Sequence, residues 1–213
     1  LFVDALESRI KYPEVRNIVD NIRISTDALS DLLNSLLDIS KLDAGVLEPK
    51  VTHFPLRPLM QRVQTDFSEV AASKGLQLRV VDCGYVVQTD PTMLERVLRN
   101  LVSNAIRYTQ QGSVLLGCRR QGDTVRIEIH DTGIGISASE MDNIFAEFYQ
   151  IENPERDRRK GLGLGLAIVK RLADLLDCEV SVRSTTGKGS VFSVSVPYVT
   201  NAAPVTTTVQ SFI

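Results

Sequence analysis

Cysteine and histidine are scarce in this chain of 213 residues. Cys83, Cys118 and Cys178 are odd in number, lie far apart and form neither a C-x-x-C pair nor a His-rich metal spacing, so no disulfide framework or metal knuckle is indicated. Three buried or half-buried thiols in a reducing compartment are expected instead. A surplus of one charge is also missing. The 24 Lys and Arg face 26 Asp and Glu, a formal net charge of −2, whereas a dedicated nucleic-acid binder usually carries a basic excess. No apolar run approaches the roughly 20 residues needed to span a bilayer. Leu1 to Arg9 carry Asp4 and Glu7 and lack the basic-then-apolar order of a signal peptide. The segment is therefore expected to be cytoplasmic and to make no membrane contact, although a parent protein could be membrane-anchored. What remains is an ordinary globular balance, 43% hydrophobic and 23% charged, in a length that suits one large domain or two modest ones.

Between Pro13 and Gly45, the positions Val15, Ile18, Ile22, Ser25, Leu29, Leu32, Leu36 and Ile39 alternate spacings of three and four. That is a heptad seam with one polar position, Ser25. Val19, Leu33 and Leu37 widen the stripe as a four-helix bundle requires. An amphipathic core helix would read much the same, and on this segment alone the two readings stand level. Leu1 to Ile10 can fold back across Lys11-Tyr12-Pro13 but is too short to cover the stripe. A second copy of the chain, or residues upstream, is implied. Gly45 suits a left-handed helix cap.

Beyond Val51 the periodicity changes. Pro58 to Ser73 reads as a helix closed by Gly75, and Leu76 to Val81 and Val86 to Gln88 read as strands. Asp90 followed by Pro91 is an N-cap with proline at the first helical position, opening a helix to about Tyr108. Ser113 to Arg119 and Thr124 to His130 are strands around the turn Gln121-Gly122-Asp123. Ser137-Ala138-Ser139-Glu140 has the form of a capping box and predicts a short helix. Leu164 to Asp177 is a further helix, and the strands Glu179 to Arg183 and Val191 to Val196 flank the turn Thr186-Gly187-Lys188-Gly189. This order predicts an α+β fold, a mixed sheet with helices on one face. Thr200 to Val209, rich in Thr, Ala and Pro, reads as a linker.

Four local signals carry chemistry. Asn100, Asn104 and Arg107 stand at i, i+4 and i+7 and so share one face of a helix whose Val97, Leu98, Leu101, Val102 and Ala105 are apolar. Amide side chains there can offer oxygens to a hard cation and N–H groups to phosphate; alone, the face would pass for a solvated one. Asp131-Thr132-Gly133-Ile134-Gly135 follows a strand directly. A carboxylate at a strand end can accept a hydrogen bond from an exocyclic amine, and the glycines let backbone approach a flat ring. Gly161-Leu162-Gly163-Leu164-Gly165-Leu166 opens a helix, whose unpaired N–H groups attract phosphate. The glycine pattern matches neither a P-loop nor a dinucleotide fingerprint. Between the two glycine runs, Gln150 to Lys160 holds Arg156, Arg158, Arg159 and Lys160 without periodicity and reads as a mobile lid.

In this order and spacing the signals resemble the catalytic domain of sensor histidine kinases, with its asparagine box, first glycine box D-x-G-x-G, phenylalanine box and second glycine box G-x-G-L-G-L. Here they stand as Asn100 to Tyr108, Asp131 to Gly135, Ile144-Phe145-Ala146-Glu147-Phe148-Tyr149-Gln150, and Gly161 to Leu166. The resemblance runs to about Val196, and Leu36 to Gly45 looks like the end of the family's second dimerisation helix. It implies a partial helical dimerisation hairpin over residues 1–48, an α/β-sandwich catalytic domain over 49–199 and a linker or tail over 200–213. ATP and Mg²⁺ would be the ligands, and Asn100, Asn104 and Arg107 the catalytic residues. Asp131 would read the adenine amine, Asn104 would be the main Mg²⁺ ligand with Asn100 beside it, and Arg107 would touch phosphates where lysine often stands. Tyr108, Gly133, Gly135, Ile136 and Phe145 would border the nucleotide. Lys160, Gly161, Gly163, Leu164, Gly165 and Leu166 would line the triphosphate under the lid. A homodimer through the N-terminal helices and a response-regulator receiver domain would be the protein partners.

Gyrase, Hsp90 and mismatch-repair ATPases share this nucleotide fold but carry a glutamate where Asn100 stands, and that glutamate acts on water as a general base. Asparagine has no basic pair, so transfer to a protein nucleophile such as a neutral histidine is favoured over hydrolysis. The family's acceptor box, His-[Glu/Asp]-x-x-x-Pro, is missing. His53 falls in the connector before Phe54-Pro55, and His130 ends a strand beside Asp131; the acceptor is expected upstream of Leu1. A non-catalytic, dimerising ATP-binding module is the alternative.

Overall fold

The computed structural model of this chain describes residues 15, 18–19, 22–23, 25–26, 29–30, 33, 36–37, 39–40, 42, 44–81, 83–151 and 163–199. They fall into two compact units. One gathers the described residues up to Leu47 with Ile144–Ile168; the other gathers Glu48–Asn143 with those from Val169 onward.

In chain order the elements after residue 50 are β1 (Thr52–Pro55), α1 (Leu56–Ser73), β2 (Gln77–Val80), β3 (Val86–Thr89), α2 (Pro91–Tyr108), β4 (Ser113–Gln121), β5 (Thr124–Asp131), α3 (Gly165–Leu175), β6 (Glu179–Thr185) and β7 (Gly189–Pro197). Period-two alternation along β5 sets the layers of the larger unit. Val125, Ile127 and Ile129 are wholly buried, while Arg126, Glu128 and His130 point to the other face of the sheet. The five strands run β2-β4-β5-β7-β6, with β2 parallel to β4 and the other pairs antiparallel. The sheet is therefore mixed, and its apolar face is covered by helices. α2 packs against β4 and β5, and α1 against α2 and β2. Leu94, Leu98, Leu101, Leu116, Ile127, Ile129 and Leu172 are among the largest fully buried side chains, each contributing about 1.5–3 kcal/mol by leaving water. No disulfide joins the three cysteines; Cys83 and Cys178 are buried and Cys118 is half-buried.

Several local readings are corrected. α1 begins at Leu56, two residues before the expected Pro58, because Pro55 takes an extended N-cap conformation. His53 lies not in an irregular connector but in β1, opposite Gln88 of β3; a four-residue strand ending in proline gives too little alternation to read. His130 lies next to last on β5, the central strand of the five. The expected helix after Ser137 is absent. Ser137 Oγ meets Ser139 Oγ at 2.9 Å instead of capping, and Glu140 N–H to Ser137 O and Asn143 N–H to Glu140 O make successive tight turns. α3 stops at Leu175, followed by Asp177 at φ 52°.

In the smaller unit, described positions from 15 to 42 are helical. Val15, Ile18, Ile22, Leu29, Leu33, Leu36 and Leu37 are exposed, and Ile39 is buried. Gly45 closes the helix at φ 62°. Leu1 to Ile10, Leu32, most of the lid and the tail from Thr200 lie outside the described residues. Among the described residues no helix is long and apolar enough to cross a membrane.

Asp90 ties the start of α2 to the incoming chain. Its Oδ1 accepts Thr92 N–H at 2.8 Å and Met93 N–H at 3.0 Å, while Oδ2 accepts Lys50 N–H at 2.7 Å. The side chain is 5% exposed, so water cannot replace it. D90A is expected to lower the unfolding free energy by about 2 kcal/mol, from the lost cap and the orphaned Lys50 N–H. Urea denaturation followed by circular dichroism checks this.

Candidate functional site

The buried stripe of α2 (Val97, Leu98, Leu101, Val102, Ala105 and Ile106) fixes the rotation of the helix. Asn100 and Asn104 are thereby left half-buried beside the stripe, with Arg107 exposed one turn further on. Asn100 Nδ2 donates to Arg96 O at 2.9 Å, which orients the amide and leaves the donating role to nitrogen and the accepting role to Oδ1. Lys74 Nζ reaches the carbonyls of Ile106 and Arg107 at 3.1 and 3.2 Å. A cation there satisfies orphan carbonyls and complements the dipole at the helix C-terminus.

β5 ends in Asp131. Its Oδ1 accepts Gly133 N–H at 2.8 Å and Ser190 N–H at 3.2 Å. Burial pushes the carboxyl above its ordinary value, and the bonds from Gly133 and Ser190 and the neighbouring His130 pull part of the way back. The glycines are required by the protein's own backbone. A Cβ on Gly133 would lie 2.5 Å from Tyr108 O and 2.8 Å from Asp131 Oδ1. Gly135, at φ 70°, lies against the Thr185 carbonyl. Ile134 N–H donates to Tyr108 O at 3.3 Å, and Ile136 N–H to Ser184 Oγ at 2.8 Å. The larger unit thus brings Tyr108, Asp131, Gly133, Gly135 and Ile136 together at the C-terminal end of α2, near Asn104 and Arg107 on the same helix.

The remaining candidates sit in the smaller unit or outside the described residues. Gly163, at φ 72°, accepts Phe148 N–H on its carbonyl at 3.0 Å, and Phe148 itself has φ 59°. Phe145 is half-buried and Leu164 buried. Gly165 and Leu166 open α3. Lys160 and Gly161 lie outside the described residues.

Sequence reasoning missed Thr132, Ser184 and Ser190. Thr132 Oγ1 accepts Ser113 N–H at 3.0 Å and so pins the start of β4 to the glycine loop. Ser184 and Ser190 lie far from Asp131 in sequence and meet it only through strand register, so no local pattern marks them.

No group of three or more His, Cys, Asp or Glu among the described residues is placed to hold a metal. Amide oxygens on α2, together with water and a ligand's phosphates, can contribute to a divalent cation's shell. That suits Mg²⁺, which keeps several waters and is usually held with substrate phosphates. The Oδ1 of Asn100, left free of the donor role, fits such a ligand set. The carboxylate of Asp131, oriented by two N–H groups on one oxygen, fits an exocyclic amine.

An α/β layer with a half-buried acid ending its central strand, packed against the amide-bearing end of a helix, belongs to the class of nucleotide-binding catalytic domains. The family described as histidine kinase-, DNA gyrase B-, and HSP90-like ATPase matches residues 89–200, more than half of the chain. The autoinducer 2 sensor kinase/phosphatase LuxQ of Vibrio parahaemolyticus is 34% identical over 201 residues, covering 90% of this chain and 23% of the relative. The circadian input-output histidine kinase CikA of Synechococcus elongatus is 36% identical over 198 residues, covering 89% and 26%. The crystal structure of full-length ShkA in complex with AMPPNP matches with a TM-score of 0.78 at 30% identity, covering 96% of this chain and 43% of that one. This chain belongs to that family, as the catalytic ATP-binding domain of a sensor histidine kinase. It spans about a quarter of the length of the curated relatives it matches.

The raised Asp131 value has a consequence for stability. The native state keeps this proton to higher pH than the unfolded chain, so stability falls as pH rises from the ordinary 3.8 through the raised value. At neutral pH the ionised carboxylate carries a desolvation cost that an amide avoids, and Asn Oδ1 can accept the same two N–H bonds. D131N is expected to melt at a higher temperature than the unaltered chain at neutral pH. The gap should close toward about pH 4, and thermal unfolding across that range checks both statements.

Proposed function

We propose that the chain binds ATP with Mg²⁺ and donates the γ-phosphate to a protein histidine other than His53 and His130. The observation that carries this reading is the Asp131 carboxylate, oriented by the N–H groups of Gly133 and Ser190 at the end of β5, with the following loop packed on Tyr108 at the end of the helix that bears Asn104 and Arg107. In the family pattern Asn104 is the principal Mg²⁺ ligand with Asn100 beside it, Arg107 contacts phosphate, and Tyr108, Gly133, Gly135, Ile136 and Phe145 border the nucleotide. Lys160, Gly161, Gly163, Leu164, Gly165 and Leu166 line the triphosphate. Asn100 has no basic lone pair and donates to its own helix, so activation of water is disfavoured and transfer to an intrinsically nucleophilic imidazole is favoured. Positioning and charge neutralisation then supply most of the catalysis.

The rest of the reading concerns organisation. Residues 1–48 act as part of a dimerisation and phosphotransfer hairpin, 49–199 as the catalytic domain and 200–213 as a linker or tail, in the cytoplasm. The exposed stripe from Val15 to Leu37 is a larger apolar face than a monomer ordinarily leaves to water, which supports a homodimer through these helices. A response-regulator receiver domain is the onward acceptor.

D131N is expected to weaken Mg-ATP binding roughly ten- to a hundredfold, the cost of a buried hydrogen bond to a charged group. Calorimetry measures it, and unchanged affinity would sink the nucleotide assignment. Given γ-labelled ATP, the chain should yield acid-labile phosphoprotein only when a histidine-bearing dimerisation helix is supplied. Labelling of the chain alone would point to His53 instead. Replacing Leu29 and Leu36 together by Glu should shift sedimentation toward monomer, whereas an unaltered chain already monomeric at high concentration would remove the dimer from the proposal.

A further inference from the structure

Strand register exposes a pattern that the sequence conceals. On the helix-covered side of the sheet, the cross-strand rows read Val125 with Val196, then Ile127 with Val194 and Val180, then Ile129 with Phe192 and Val182. The next row breaks the apolar run: Asp131 on β5 faces Ser190 on β7, which faces Ser184 on β6. Ser190 is 6% exposed, so this polar row needs its hydrogen bonds made within the protein.

Ser184 is the centre of that satisfaction. Its Oγ accepts Ile136 N–H at 2.8 Å, donates to Gly189 O at 2.8 Å and lies 2.9 Å from Ser190 Oγ. A hydroxyl has one proton and two lone pairs. With the Ser184 proton on Gly189 O, the Ser190 hydroxyl lies between Ser184 Oγ and the Asp131 carboxylate, which also accepts the Ser190 backbone N–H. The β6–β7 turn otherwise lies on the first glycine box through backbone alone. Gly187 N–H donates to Ile134 O at 2.7 Å, and Gly135 and Gly189 allow contact with the carbonyls of Thr185 and Asp131. The side chain of Ser184 holds the loop at Ile136, just past the box, while the Ser190 hydroxyl reaches Asp131 at its start.

We infer that Ser184 is a positioning residue for the adenine end of the nucleotide site. It holds the far end of the glycine box at Ile136 and, through Ser190, the strand whose N–H aims the Asp131 carboxylate. The inference rests on the ATP site proposed above and adds a residue that touches no part of the nucleotide itself.

Thr and Val have nearly the same shape and both suit a strand, so S184T and S184V differ by the hydroxyl. ATP and GTP are competed against trinitrophenyl-ATP on the whole chain, with circular dichroism confirming the fold. S184T should bind ATP within about twofold of the unaltered chain, and S184V about tenfold more weakly. The preference for ATP over GTP should fall in S184V and not in S184T. Equal ATP affinity in the two variants overturns the inference, and so does an equal loss for ATP and GTP, which would mark a purely structural hydroxyl. If S184V does not fold, S184A takes its place in the same comparison. An unaltered chain that binds no trinitrophenyl-ATP overturns the ATP site itself and this inference with it.

Discussion

A carboxylate at the end of an apolar sheet face is the constraint from which the site is built. β5 delivers three wholly buried aliphatic residues to the helices and then, at the same period, Asp131. Burial opposes its charge, so the carboxylate can remain ionised there only with donors supplied by the fold. Two backbone N–H groups provide them, one from the following loop and one from β7, with the Ser190 hydroxyl beside them. Bringing both that close leaves no room for side chains. A Cβ at Gly133 would press on the Tyr108 carbonyl, and one at Gly189 on the Asp131 carbonyl. The first glycine of D-x-G-x-G thus follows from solvating a half-buried acid with backbone and the second from the close Thr185 carbonyl, before any ligand is considered.

The other face of β5 shows the opposite solution. Glu128, 9% exposed, stands among Arg126 at 3.2 Å, Arg119 at 3.0 Å, Arg183 at 3.6 Å and His130 at 3.2 Å. Burial alone would raise its carboxyl, but the bond from His130 and the charges of Arg119 and Arg126 outweigh it, and the net shift is downward. Arg126 is itself fastened to Ser181 and Ser193 at 2.9 and 2.7 Å. Two acids three residues apart along one strand therefore meet different environments because alternation sends them to different faces. His130, adjacent to Asp131 in sequence, serves Glu128 across the sheet from the glycine box.

Legibility in the sequence followed the range of the interactions. The α2 N-cap at Asp90, the Gly45 cap and the β4–β5 turn are set by neighbours a few residues apart, and all read correctly. The long strands β4 to β7 were read to within two residues at each end because half-buried alternation is a local signal. β1 escaped because four residues ending in proline carry almost no period, and the capping-box motif at Ser137 misled because Ser139 competes for the same hydroxyl. In the site, Asp131, Gly133 and Gly135 were legible as a motif. Ser184 and Ser190 were not, since their meeting with Asp131 depends on the register of two antiparallel pairs. The glycines also meet a demand that no local pattern shows, the close approach of Tyr108 and Thr185 backbone.

The asparagine helix connects these pieces. α2 is anchored at its start by the Asp90 carboxylate and at its end by Lys74 on the last carbonyls, while its buried stripe fixes rotation. A helix held at both ends and along one side presents Asn100, Asn104 and Arg107 at set positions without help from a ligand. Its C-terminal residue, Tyr108, supplies the carbonyl on which Ile134 N–H rests and against which Gly133 packs. The glycine box that aims Asp131 is therefore seated on the same helix that carries the cation and phosphate candidates. In the proposed site, the separation of Asp131 from Asn104 and Arg107 is set by one rigid element, not by two independent loops. For a reaction governed by placing a phosphoryl group in line with an acceptor, that coupling is what the proposed roles of Asp131, Asn104 and Arg107 require: recognition of the base would determine where the phosphates lie.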